Sequence, residues 1–83
     1  MSKKIVWLAQ ARAELRAIDR ETALGLLQGL AQFAFTESGD VKRLHGYDPP
    51  QFRLRLGDYR IRFRVAGDSL EILSVRNRKD AYR

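Results

Sequence analysis

The chain has no cysteine, so neither disulfide stapling nor a thiolate metal site is open to it. That absence suits a reducing compartment, and the expected location is the cytoplasm. Histidine occurs once, as His45, and no His or carboxylate cluster has the spacing of a metal site. Both prolines are spent in one place, Pro49-Pro50. Long apolar runs are missing too. The stretch 5–9 is too short for a signal-peptide core, and nothing approaches the ~20 residues of a bilayer span, so a soluble intracellular protein with no membrane partner is expected. No internal repeat or low-complexity tract interrupts the 83 residues, which leave room for a single domain over 1–83. With 45% apolar and 31% charged residues, that domain should be globular.

Acidic residues are scarce where basic ones are dense. Residues 1–41 balance five Lys/Arg against five acids, whereas 42–83 set eleven Lys/Arg against five acids and carry the whole formal charge of +6. Nine of those eleven are arginine, whose planar fork suits phosphate and base stacking better than a lysine point charge. One half reads as scaffold and the other as a surface facing a polyanion.

The densest stretch is FRLRLGDYRIRFRV, residues 52–65. Successive strand side chains point to opposite faces, so Phe52, Leu54, Leu56, Tyr59, Ile61, Phe63 and Val65 alternate against Arg53, Arg55, Arg60, Arg62 and Arg64. Gly57-Asp58 predicts a two-residue type II′ hairpin turn. Leu56 then pairs with Tyr59, Arg55 faces Arg60, Leu54 faces Ile61 and Arg53 faces Arg62. Like charges opposed across a ladder destabilise it by roughly 0.2–1 kcal/mol per pair, so the repeated arrangement calls for an anionic partner. A merely solvated charged face is the competing explanation.

Around the hairpin, KIVWL (4–8) reads as a first strand. Leu8, Ala11, Leu15 and Ile18 follow at helical spacing. Asp19 is the expected N-cap of a second helix running to about Thr36, with Glu21 in its first turn. A stripe of Leu24, Leu27, Ala31 and Ala34, widened by Leu26, Leu30 and Phe33, should bury that helix almost entirely. Gly25 and Gly29 then mark close approaches, and Gly39 is the expected residue just past its C-terminal end. Residues 41–51, with their two prolines, predict a loop. A turn at 66–68 and a strand over 70–75 complete the order β-α-α-β-β-β: an α+β fold with two N-terminal helices on one face of a small, mostly antiparallel twisted sheet, and the arginines on the other.

The scattered acids of the basic half do not form a metal nuclease site, and His45 lacks an orienting partner for a serine triad. Metal-free chemistry at a phosphate remains, with no cofactor implied. Arginines stabilise a pentacovalent phosphorane but are too basic to accept its proton. Tyr82, Lys79, Asp80 and His45 are candidate acceptors; for His45 a purely structural loop role competes. The tail RNRKDAYR (76–83) interleaves Arg76, Arg78, Lys79 and Arg83 with Tyr82, a composition suited to single-stranded RNA, unless it is a solvated end.

VKRLHG, then PP, then FRLRLGDYRIRFRV, and finally SVRNRKDAYR together resemble the RelE/ParE superfamily of type II toxin–antitoxin toxins, in its RelE-like branch. The resemblance implies a RelE-like microbial RNase-type fold and a ribosome-dependent mRNA endonuclease (an mRNA interferase). In such enzymes the RNA 2′-OH attacks the adjacent phosphate in the ribosomal A site, leaving a 2′,3′-cyclic phosphate. It also implies a cognate antitoxin, encoded by an adjacent gene, that masks the basic surface. Position by position, it gives catalytic roles to Arg53, Arg55, Arg60, Arg78 and Tyr82; from the basic composition of the hairpin and tail, Arg62, Arg64, Arg76, Lys79 and Arg83 are expected to bind RNA. Arg53 and Arg55 stand where RelE has lysines, and Asn77 stands where many relatives have histidine, which leaves the general base open. Two alternatives share the fold: a ParE-like, non-enzymatic inhibitor of DNA gyrase, and a homologue that binds RNA or antitoxin without cleaving.

Overall fold

Residues 3–79 are described by a computed structural model. The chain runs β1 (Lys4–Trp7), α1 (Ala9–Arg16), α2 (Arg20–Thr36), β2 (Asp40–Leu44), β3 (Gln51–Leu56), β4 (Tyr59–Ala66) and β5 (Ser69–Asn77). One sheet holds the strands in the order β1-β5-β4-β3-β2. β1 lies parallel to β5, and every other pairing is antiparallel. The expected α+β arrangement is therefore present, with one strand more than the sequence suggested.

That extra strand is β2, which replaces the first part of the loop expected over 41–51. It pairs only with β3 and lies at the sheet edge, so four of its five residues are exposed. An edge strand without a buried face writes no alternation into its sequence.

The hairpin has the predicted register from Leu56↔Tyr59 outward. Gly57 takes φ +57 while Asp58 stays out of the left-handed region, which is the backbone of a II′ turn. A second Gly-Asp turn joins β4 to β5, with Gly67 at φ +60.

The core lies between the two helices and one face of the sheet. Leu30, Leu54, Ile61, Leu70 and Ile72 are its largest fully buried side chains, each contributing roughly 1.5–3 kcal/mol relative to exposure. Phe63 carries Phe52 stacked on it at 5.4 Å and Phe33 of α2 edge-on at 5.5 Å.

α2 starts where expected. The Asp19 carboxylate accepts the Thr22 N–H at 3.0 Å, and that backbone bond holds the carboxyl below its ordinary pKa. Two expectations for this helix need correction. The buried stripe is Leu26, Leu30, Phe33 and Ala34, while Leu24, Leu27, Ala31 and Phe35 stay exposed, Phe35 by 72%. A helix apolar on most of its circumference does not announce which side faces the sheet. The left-handed residue after the helix is Glu37, at φ 56, not Gly39. Gly39 instead lies beneath Leu54 and Phe33, where a Cβ would come within 3.3 Å of Leu54. Gly29 does permit a close approach, since a Cβ there would lie 3.0 Å from Leu56 Cδ1; Gly25 has no such neighbour.

Candidate nucleic-acid interface

Opposed residues of an antiparallel ladder share a face, so the register defines rows across the open side of the sheet. One row reads Asp40, Arg55, Arg60, Arg76; the next reads Lys42, Arg53, Arg62, Ser74; the third reads Leu44, Gln51, Arg64, Glu71. All five hairpin arginines therefore stand on the face away from the helices.

Arg76 joins them because of an irregularity in β5. Arg62 pairs with Ser74 but Phe63 pairs with Ile72, so Leu73 is an extra residue. Leu70 and Ile72 point to the core before the bulge and Val75 after it. The bulge turns Leu73 and Ser74 both toward the open side and shifts the phase so that Arg76 lies beside Arg60. Without it, Arg76 would point at the helices.

These side chains differ in how they are held. Arg64 Nε donates to Glu71 Oε1 at 2.5 Å, and Arg76 Nε lies 3.2 Å from Glu14 Oε2 of α1. The terminal nitrogen of Arg62 donates to Gln51 Oε1 at 2.6 Å, and its guanidinium lies 5.0 Å from the centre of the Tyr47 ring. Among the described residues, no acid forms an ion pair with Arg53, Arg55 or Arg62. The Nε–H groups of Arg53 and Arg62 are buried without an acceptor among the described residues, an arrangement an anion's oxygens would relieve.

Arg53, Arg60, Arg62 and Arg76 line one open cleft of about 880 Å³. Ser74 lies at its floor, only 7% exposed, and His45, Tyr47, Gln51 and Gln10 stand around it. Among the described residues that line the cleft, none is a carboxylate. Its polar lining is guanidinium, imidazole, phenol, amide and hydroxyl, a set that binds an anion and can exchange a proton with it.

The other expected site residues lie elsewhere. Arg55 shares the face but does not line the cleft, and Arg64 is engaged by Glu71. Arg78 and Lys79 are exposed in the turn after β5, where the Arg78 N–H donates to Asp58 O at 2.6 Å. Tyr82, Arg83 and Asp80 lie outside the described residues. Sequence reasoning missed Tyr47, Gln51 and Ser74. The spacing of core residues at 70, 72 and 75, two and then three, was the available sign of the bulge.

The sequence matches the family described as the ParE toxin of type II toxin-antitoxin system, parDE, over residues 5–82. No curated protein matches it. The archaeal RelE of the RelE–RelB complex from Pyrococcus horikoshii OT3 is 24% identical, with a TM-score of 0.76 over 94% of this chain and 97% of that one. RelE of the RelB–RelE antitoxin–toxin complex from Methanococcus jannaschii is 22% identical, with a TM-score of 0.74 over 93% and 94%. A mutant of the E. coli toxin RelE in the free state is 17% identical, with a TM-score of 0.77 over 99% and 90%. These likenesses fix the fold, and the family match covers nearly the whole sequence. The chain belongs to the RelE/ParE toxins of type II toxin–antitoxin systems, matching the ParE family.

Proposed function

We propose that this toxin is a metal-independent, ribosome-dependent endoribonuclease that cuts messenger RNA, the 2′-OH attacking the neighbouring phosphate. The observation that carries this reading is the convergence of Arg53, Arg60, Arg62 and Arg76 on one cleft free of lining carboxylates among the described residues. Guanidinium groups fixed on adjacent strands stabilise the charge that grows on the phosphorane oxygens, a preorganised electrostatic effect that is often the largest in catalysis. Arg53 and Arg60 contact the phosphate most directly in this reading. Arg55, Arg64, Arg78 and Lys79 extend the basic track along the RNA in this reading; Tyr82 and Arg83, which the sequence analysis also singled out, lie outside the described residues.

Arginine cannot take the proton from the 2′-OH. Of the candidate acceptors among the described residues, His45 lines the cleft, whereas Lys79 lies past the end of β5. His45 is therefore assigned as the general base. A cognate antitoxin supplies the acidic partner that covers this face when the toxin is silent; the archaeal relatives were solved as RelE–RelB complexes.

The match to the ParE family supports a second reading, non-enzymatic inhibition of DNA gyrase. A third, RNA or antitoxin binding without cleavage, uses the same arginines. Mapping 5′ ends of cellular mRNA shortly after induction separates them. Endonuclease activity produces new 5′-hydroxyl ends within translated messages, and Arg60→Ala abolishes them. Intact messages with blocked supercoiling would replace this reading by gyrase inhibition, and salt-sensitive RNA binding with no new ends would replace it by binding alone.

A further inference from the structure

Tyr47 stands in the loop between β2 and β3, at the rim of the arginine cleft, and is 43% exposed. Its ring is not loose. The Arg62 guanidinium lies 5.0 Å from the ring centre, and that guanidinium is itself tied to Gln51 Oε1 at 2.6 Å. An arginine held in both ways is fixed in place, with its Nε–H still turned to the cleft's anion, and is a firm backing plate for an aromatic ring. With 43% of the residue exposed, Tyr47 keeps surface open to a ligand. Pro49 and Pro50 follow closely and restrict the backbone from Asp48 onward.

We infer that Tyr47, backed by Arg62, is a stacking platform for one nucleobase of a single-stranded RNA whose phosphate lies between Arg53 and Arg60. This rests on the endoribonuclease or RNA-binding reading of the cleft and adds to it the residue that holds a base. Arg62 and Arg60 are two positions apart on β4, roughly 7 Å along the strand, which is about the scale of one nucleotide. A base whose phosphate sits at Arg60 thus falls within reach of the Tyr47 ring. Stacking of this kind tolerates any base, because every base offers a π-face. It would fix the nucleotide's position without reading its identity, which is what a cut at a defined phosphate requires.

The probe is a fluorescein-labelled RNA hexamer with 2′-O-methyl groups throughout, which binds but lacks the attacking hydroxyl. Tyr47→Ala should weaken its binding about 5- to 150-fold, and Tyr47→Phe should retain native affinity. The dependence of affinity on salt should be the same in Tyr47→Ala as in the native chain, since no phosphate contact is lost. Six further hexamers, each abasic at one position, identify the stacked base: at one position the abasic penalty should be present in the native chain and absent in Tyr47→Ala. Urea unfolding confirms that each variant folds. If Tyr47→Ala keeps native affinity, or all six penalties are the same in both proteins, the platform is overturned while the arginine cleft stands. If Tyr47→Ala loses affinity together with salt dependence, Tyr47 acts by holding Arg62, and the platform is again overturned. If the native chain binds no hexamer, or Arg60→Ala binds as well as the native chain, the reading of the cleft fails and the platform falls with it.

Discussion

The carboxylate of Glu14 on α1 reaches β5 with both oxygens, lying 3.2 Å from Arg76 Nε and accepting the Val75 N–H at 3.0 Å. The need for it follows from the sheet. β1 pairs with β5 only as far as Trp7↔Ile72, and the Leu8 N–H reaches Ile72 O just beyond. Past that point β5 has no strand on this side, and the Val75 N–H needs another acceptor. The same side chain therefore completes the sheet and restrains one of the cleft's cations.

Two substitutions separate those roles. Glu14→Ala leaves the Val75 N–H without its acceptor and should lower stability by about 1–2 kcal/mol in urea unfolding, the ordinary penalty for an unmet, partly buried donor. Glu14→Gln keeps an acceptor and should unfold nearly as the native chain does. It also releases Arg76 from its acid, so binding of the uncleavable RNA hexamer should tighten and its logarithmic salt slope should steepen by about 0.7, the value of one added phosphate contact on a single strand. An unchanged slope would show that Arg76 does not face the RNA.

How far the fold was readable depended on how strongly each segment is buried on one side. The hairpin was legible to the residue pair, because strict alternation meets a Gly-Asp turn that permits one register. β2 was not, because an edge strand with exposed residues carries no such alternation. The bulge at Leu73 was hidden inside an apolar run, yet it decides that Arg76 belongs to the site. The cleft's arginines were visible as charge, whereas Tyr47 and Gln51 act through contacts with Arg62 that no local pattern encodes.

The corrected face of α2 has a direct test. Leu30 is fully buried and Leu24 is 49% exposed on the same helix. Leu30→Ala should destabilise by about 2–5 kcal/mol, the usual range for emptying a packed core position. Leu24→Ala removes little buried surface and improves helix propensity, so its effect should stay below about 1 kcal/mol. Equal losses from both would mean that the helix is rotated from its assigned face.

The Asp19 cap should make stability depend on acidity. Its folded-state carboxyl is held below the ordinary value, chiefly by the Thr22 N–H, so its contribution is present above the ordinary aspartate pKa and is lost as pH falls through the lower, folded value. Asp19→Asn retains a neutral capping oxygen and removes the titration. The native chain should be the more stable of the two at neutral pH, and the gap should close on acidification. Urea midpoints measured at a series of pH values check this; a gap independent of pH would show that the charge on the cap is immaterial.

His45 carries the proton-transfer half of the proposed reaction, and its loss should separate chemistry from binding. A neutral imidazole has a ring nitrogen that can accept a proton, which the surrounding guanidiniums cannot. His45→Ala should slow cleavage of ribosome-bound message by about 10²–10⁴-fold, the usual worth of a positioned general base. Affinity for the 2′-O-methyl hexamer should be unchanged, because the arginines that hold the phosphate remain. A variant that cleaves at the native rate would move the proton acceptor to another residue, with Tyr82 and Lys79 the next to be replaced.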